Sequence, residues 1–107
     1  MQNLRALLSP LRVFDAVHRA KGVTRAAHLL HVTPGAVSQQ IKQLEVGLGV
    51  QLFQRSGREI ELTVVGERLA HRVSDAFDRL HDALNDLADN QRERRLRLKV
   101  TPSLAIR

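Results

Sequence analysis

Cysteine, tryptophan and tyrosine are absent from the 107 residues. Without thiols the chain can build neither a disulfide frame nor a thiolate zinc site, so its stability must come from packing. The only aromatics are Phe14, Phe53 and Phe77, which argues against binding single strands by base stacking. No apolar run approaches a membrane span, and the first eleven residues lack the apolar segment of a signal peptide. A cytoplasmic chain with no membrane partner is therefore expected. No glycine-rich phosphate loop and no nucleophile–base pair occurs, and the length barely allows a catalytic pocket, so enzymatic activity is not expected. Five histidines are present, but no cysteine or clustered carboxylate completes a four-ligand set around His18, His28 and His31. No metal site is expected; His28 and His31 should help to pack a helix, and His71 and His81 should be solvated.

What is present is charge, unevenly placed. The total is +6. Up to Arg58 eight basic residues face only Asp15 and Glu45. From Glu59 to Gln91 eight acidic residues outweigh Arg68, Arg72 and Arg79, and the tail from Arg92 is basic again. A basic head on an acidic stalk is the footprint of a polyanion binder with an oriented docking face.

The chain is organised around VTPGAVSQQIKQLEVGL, residues 32–48. Thr33 is an N-cap residue and Pro34 suits the first helical position, where its missing N–H costs nothing. Val37, Ile41, Leu44 and Leu48 then form one apolar stripe. Gly35, Ser38, Gln39 and Lys42 fall on the opposite side, a narrow, short-armed face without a carboxylate near its centre. Taken alone, this is an ordinary amphipathic helix with a solvated face. Its chemistry also suits a DNA major groove, where Gln and Ser reach base edges and Lys a phosphate or guanine. Ahead of it, VTRAAHLLH reads as a short helix capped by Thr24, with Ala26, Ala27 and Leu30 buried. Only His31, Val32 and Thr33 separate the two helices, a turn of the helix-turn-helix length, and the paired alanines permit a close crossing.

A buttressing helix comes first, opened by Ser9 as N-cap and Pro10, carrying Leu11, Val13, Phe14 and Val17, and closed by Lys21-Gly22. After Gly49 the period changes to that of strands. VQLFQR and EIEL, joined by a turn at Ser56-Gly57, form a small hairpin with Ile60 and Leu62 on one side and with Arg55 and Arg58 flanking its tip. Those arginines either solubilise the hairpin or reach phosphates and the minor groove. Thr63 then caps a long helix, with Glu67 available to its first turns, whose Val65, Leu69, Val73, Phe77, Leu80, Leu84 and Leu87 advance by threes and fours with Ala76 in the same stripe. Some 28 residues span about 42 Å, too long a stripe to bury on so small a head, so a second copy is expected to cover the excess. The opposite face, with Asp75, Asp78, Asp82, Asp86 and Asp89, is expected to be solvated. NQRERR reads as a hinge, and LRLKVT alternates as a strand would.

TRAAHLLHVTPGAVSQQIKQLEVGLGVQLFQR resembles the winged helix-turn-helix of LysR-type bacterial transcriptional regulators, and the resemblance runs from about residue 11 to residue 87. It implies a mainly α fold with a three-helix core, a two-stranded wing and a long dimerisation or linker helix. The expected division is a DNA-binding domain over 1–63 (motif 23–42, wing 51–62), the linker helix over 64–92, and a hinge with the first strand of a truncated effector-binding domain over 93–107. Thr24 and Arg25 match a phosphate contact at the start of the motif's first helix. Ser38, Gln40 and Ile41 match the family's serine, glutamine and core isoleucine, and Gln39 stands where many relatives have Arg, a candidate for selecting adenine. Pro34 departs from the glutamine of many members, so Pro34 and Gly35 are left with van der Waals contact. Thr63 matches a phosphate-contacting threonine after the wing. The expected DNA-binding set is thus Thr24, Arg25, Thr33, Pro34, Gly35, Ser38, Gln39, Gln40, Lys42, Arg55, Arg58 and Thr63. The expected dimerisation set is Val65, Leu69, Val73, Ala76, Phe77, Leu80, Leu84 and Leu87. Double-stranded DNA, a homodimer and, at full length, a tetramer are the implied partners. The chain itself needs no cofactor; a small-molecule co-inducer is implied for the whole protein, with Thr101 and Ser103 near its site. The competing reading is a helical dimerisation or architectural module that binds DNA without sequence choice.

Overall fold

The computed structural model describes residues 3–100. Four helices and one hairpin follow in the order α1 (Leu4–Ala20), α2 (Val23–Leu30), α3 (Pro34–Leu48), β1 (Phe53–Ser56), β2 (Glu59–Leu62) and α4 (Val64–Val100). The fold is mainly α with a two-stranded wing, as the patterning predicts. One compact unit ends at Ser74 and a second begins at Asp75.

In the first unit, α1, α2 and α3 pack around Phe14, Val37, Leu44 and Leu52, all fully buried. Ala26 and Ala27 have no exposed surface worth the name, and their small size lets α3 cross α2 closely. Two of the three aromatics meet edge to face, Phe14 and Phe53, with ring centroids 5.6 Å apart, which anchors the wing to α1. Thr33 caps α3 as expected, its Oγ1 accepting from the Ala36 N–H at 3.1 Å. Val37, Ile41 and Leu44 are buried and Leu48 half-buried, so the stripe read from the sequence is the stripe that packs.

Several boundaries differ from the sequence reading. Helix α1 opens at Leu4, not at Pro10: Asn3 is its cap, accepting from the Ala6 N–H at 3.0 Å, and Pro10 lies inside the helix. An interior proline costs about 3 kcal/mol. Burying Leu7 recovers about 1.5–3 kcal/mol and the asparagine cap about 1, so the two extra turns are sustained by packing. Thr24 is not the cap of α2. Only Lys21 and Gly22 lie between the helices; Lys21 caps the end of α1 in the left-handed conformation (φ 59°), so Gly22 takes the N-cap position of α2 with no side-chain hydrogen bond. The wing turn is Gly57-Arg58, one residue beyond the expected Ser56-Gly57, because Ser56 pairs with Glu59 across the strands. Gly57 carries φ +66° at the first central position, a left-handed value that glycine adopts at no steric cost.

The largest corrections fall at the end. Residues 90–95 are helical rather than a hinge, and residues 96–100 continue α4 rather than forming a strand. Gln, Arg and Glu are good helix formers, and a lone alternating segment has no sheet to join among the described residues. Thr101 and Ser103 lie outside the described residues.

The head also claims the start of α4. Gly66 and Ala70 are buried and Leu69 packs against the core, so the compact unit extends well past the residue 63 at which the DNA-binding domain was expected to end.

Candidate nucleic-acid interface

Gly35, Ser38, Gln39 and Lys42 are all exposed on α3, with Thr33 and Pro34 exposed at its start. The structure therefore presents the face that the spacing picked out. Thr33 uses its oxygen to cap Ala36, which leaves its hydroxyl proton available to an anion. The Gly35 N–H lies in the same first turn, one of the groups the Thr33 side chain does not take, where the helix dipole also favours negative charge. Gln39 and Lys42 stand on one bank of a groove whose other bank is Leu7 and Pro10 of α1.

Gln40 behaves differently from its neighbours. It is half-buried, and its Oε1 is buried without a hydrogen-bond partner. An unsatisfied buried acceptor of this kind costs about 1–3 kcal/mol, so Gln40 faces the protein more than any groove-reading residue should. The helical angle carries the signal: at 100° per residue Gln39 lies about 40° from Gly35, within the exposed face, and Gln40 about 140° from it, towards buried Val37 and Leu44.

Two further elements flank α3. At the start of α2, Thr24 and Arg25 are exposed and line an open groove with Lys21 on one side and Glu59 and Ile60 of the wing on the other. With no side chain capping this helix, its first N–H groups are free to meet an anion. In the wing, Arg58 occupies the turn itself and Arg55 lies on β1 opposite Ile60, both exposed. Thr63 is the exception. Its hydroxyl donates to the Gln51 carbonyl at 2.8 Å and accepts from the Gly66 N–H at 3.0 Å, and its own N–H donates to the Leu52 carbonyl at 2.9 Å. The single proton is used, so Thr63 joins wing to helix and has nothing to donate to a phosphate.

Three residues hold the interface in shape: Glu45 and Asp15, which the sequence shows only as charges, and Gly66. Glu45 Oε2 accepts from the Leu52 N–H at 2.7 Å and the Phe53 N–H at 3.2 Å, tying the end of α3 to the first strand of the wing. Gly66 sits so close to Leu52 that a Cβ there would lie 2.1 Å from the Leu52 carbonyl oxygen. Asp15, nearly buried, receives Arg19 Nε at 2.9 Å and 3.0 Å and the Ser74 hydroxyl. Only the i, i+4 spacing of Asp15 and Arg19 was visible beforehand.

The histidines also part from expectation. His28 and His31 are both exposed rather than packed, and His31 is the left-handed C-cap of α2 at φ 59°. His71, exposed as a whole, touches His18 edge to face with centroids 5.9 Å apart. Among the described residues no three histidines or carboxylates come together as metal ligands would. No helix among them is long and apolar enough to cross a membrane.

In the second unit, Leu80, Leu84 and Leu87 are more than half exposed, whereas Leu69, counted in the same stripe, is already packed against the head. Arg79 pairs with Asp75 at 3.5 Å and Arg92 with Asp89 at 3.7 Å; exposed pairs of this type contribute well under about 1 kcal/mol.

A three-helix core with a close-crossing second and third helix, an exposed polar face on the third and an arginine-tipped hairpin beside it define a winged helix-turn-helix protein. The sequence profile described as "Bacterial regulatory helix-turn-helix protein, lysR family" matches residues 8–67. The chain belongs to the LysR family. It is 43% identical over 100 residues to the HTH-type transcriptional regulator TrpI of Pseudomonas aeruginosa, which covers 94% of this chain and 34% of that protein. It is 41% identical over 99 residues to the HTH-type transcriptional activator AmpR of Citrobacter freundii, 92% of this chain and 34% of that one. The chain thus spans about a third of the length of these curated relatives. Among solved structures, the BenM DBD/benA site 1 DNA complex superimposes with a TM-score of 0.69 at 27% identity, covering 84% of this chain and 97% of that one. Vibrio fischeri DarR in complex with DNA does so at 0.64 and 26% identity, covering 78% and 28%.

Proposed function

We propose that this chain is the DNA-binding and dimerising part of a LysR-type transcriptional regulator that reads a two-fold operator in duplex DNA. The observation that carries this reading is the α3 face. Gly35, Ser38, Gln39 and Lys42 stand exposed together, without a carboxylate among them, between two basic flanks. Gln39 and Ser38 address base edges, with Gln39 to adenine as the first geometry to seek. Lys42, Arg25, Arg55 and Arg58, with Thr24, Thr33 and the Gly35 N–H, hold the phosphates on either side. Pro34 and Gly35 offer van der Waals contact only. Gln40 and Thr63 serve the protein frame rather than the DNA. Relatives solved with DNA, the BenM and DarR complexes, support the same use of this fold.

Two copies join through the apolar stripe of α4, in which Leu80, Leu84 and Leu87 lack cover within one chain. The charge map sets their direction. Side by side in parallel, Glu67 at the start of α4 would face its own kind, as would Arg92, Arg94 and Arg95 near its end. Antiparallel, unlike ends meet and the two heads stand apart for a two-fold site. The whole protein works in the cytoplasm, as a dimer that becomes a tetramer at full length, and takes a small-molecule co-inducer.

Competition binding tests the reading. A site selected from random duplex should outcompete unselected duplex by about a thousandfold or more. Equal competition would instead favour a module that binds DNA without sequence choice.

A further inference from the structure

Among the described residues only two besides glycines take the left-handed backbone conformation, Lys21 and His31, both at φ 59°. Each ends a helix, Lys21 closing α1 and His31 closing α2, and both are exposed. Helix α3 ends in the same conformation with Gly49, the residue that adopts it at no steric cost. Histidine is comparatively frequent at such φ values and lysine is not, so Lys21 is the most strained of the three. Contacts within the protein do not explain it. Among the described residues its side chain has no hydrogen bond or ion pair. A cation at the end of α1 suits the helix dipole, but His18 and Arg19 already stand in that last turn. What distinguishes Lys21 is its surroundings. It lines one groove with Thr24 and Arg25 of α2 and with Glu59 and Ile60 of the wing. Arg58, exposed in the wing turn, directly precedes Glu59. The groove thus lies between two basic elements, and all these residues belong to the compact unit that ends at Ser74. A duplex held at Arg25 and Arg58 lies across the mouth of this groove, where Glu59 brings a charge of the same sign as phosphate. A lysine in the groove offsets that charge and adds a contact of its own.

We propose that Lys21 is a further phosphate contact, a lysine kept in a left-handed conformation at a cost in stability so that the duplex is held between α2 and the wing. This rests on the reading of the chain as a dimeric binder of duplex DNA. Two copies of Lys21 add about 2 to the salt slope that Arg25, Lys42, Arg55 and Arg58 give. The residue acts on docking and not on base choice, since a lysine on a phosphate carries no sequence information.

The test sets stability against binding in Lys21→Gly, Lys21→Gln and Lys21→Arg. Urea unfolding gives the midpoint of each chain. Fluorescence anisotropy over a potassium chloride series gives its affinity for a random-sequence duplex and for a site selected with the parent chain. Lys21→Gly removes strain and cation together, so its midpoint should rise by roughly 0.5 M urea while its log–log salt slope becomes shallower by about 2. Both duplexes should be weakened by comparable factors. Lys21→Gln keeps the strained backbone and loses the charge, so it should show the same change of slope with no rise in midpoint. Lys21→Arg should keep the parent slope. A slope changed by less than about 1 in either Lys21→Gly or Lys21→Gln, or a slope lost in Lys21→Arg, would overturn the proposal and leave the operator-binding reading intact. So would an unmoved or lowered midpoint in Lys21→Gly, which would make Lys21 a structural end to α1. A loss confined to the selected site would also overturn it, by making Lys21 a reader of bases. A parent chain that binds neither duplex would remove the DNA-binding reading and this proposal with it.

Discussion

Replacing Gly66 by alanine sets helix propensity against close packing, and the structure decides which wins. Alanine in a helix interior is better than glycine by about 1 kcal/mol, so on propensity alone the substitution stabilises. A Cβ at Gly66, however, would stand 2.1 Å from the Leu52 carbonyl oxygen, 2.9 Å from its carbonyl carbon and 3.1 Å from its Cα. Ordinary contact begins near 3.4 Å, so α4 and the Leu52 backbone must separate by more than about 1 Å. The Leu52 peptide cannot yield freely. Its oxygen accepts from the Thr63 N–H at 2.9 Å, its N–H donates to Glu45 at 2.7 Å, and its side chain is fully buried. Losing the neutral bond costs about 1 kcal/mol, weakening the charged one about 1.5–3, and overpacking about 1–3. After the propensity gain is subtracted, a net loss of about 2.5–6 kcal/mol is expected. Urea unfolding followed by far-UV circular dichroism would measure it. Gly35→Ala is the control, because a Cβ there meets only Thr33 Oγ1 at 4.0 Å; it should change stability by less than about 1 kcal/mol. A Gly66→Ala protein as stable as the parent would refute the reasoning.

Glu45→Ala leaves the Leu52 and Phe53 N–H groups without their acceptor and should destabilise by about 1.5–3 kcal/mol, with Glu45→Gln recovering at least half, as read by the same unfolding assay. Binding to duplex DNA should weaken steeply with salt: Arg25, Lys42, Arg55 and Arg58 on two heads give up to about eight neutralised phosphates and a log–log slope near −7. A slope shallower than about −3 would show that the basic head is not the docking surface. For the stalk, Ala76→Cys should form a disulfide-linked dimer under mild oxidation, because an antiparallel pair brings equivalent residues together only near its middle. Leu87→Cys should not, and efficient linkage at both positions would indicate parallel stalks.

What could be read from the sequence was local. The stripe of Val37, Ile41 and Leu44, the Thr33 cap with Pro34 behind it, the three-residue turn and the hairpin all depend on neighbours within a few positions, and periodicity reports such neighbours directly. The start of α1 was misplaced because Ser9-Pro10 is a valid opening signal on its own; only the burial of Leu7 and Pro10 against the rest of the head overrides it. LRLKVT alternates as a strand would, yet alternation has no meaning without a sheet to pair with. The face of α3 was legible as chemistry, but Gln40 was grouped with Gln39 by family pattern although the helical angle separates them. The roles of Glu45, Asp15 and Gly66 are not legible in the sequence for a common reason. Each acts on a backbone or side chain distant in sequence or in another element, and no spacing rule points from Asp15 to Ser74 or from Gly66 to Leu52.

The claim on which the rest depends is that the exposed face of α3 reads bases. Its most direct measurement is the ratio of affinities for a selected site and for random duplex, taken at one salt concentration for the parent chain and for Gln39→Ala. Loss of the Gln39 contact should cost about 1–3 kcal/mol on the selected site, reducing the ratio by about 5- to 150-fold, with binding to random duplex almost unchanged. A ratio unaltered by Gln39→Ala would contradict the assignment of the α3 face as the reading surface.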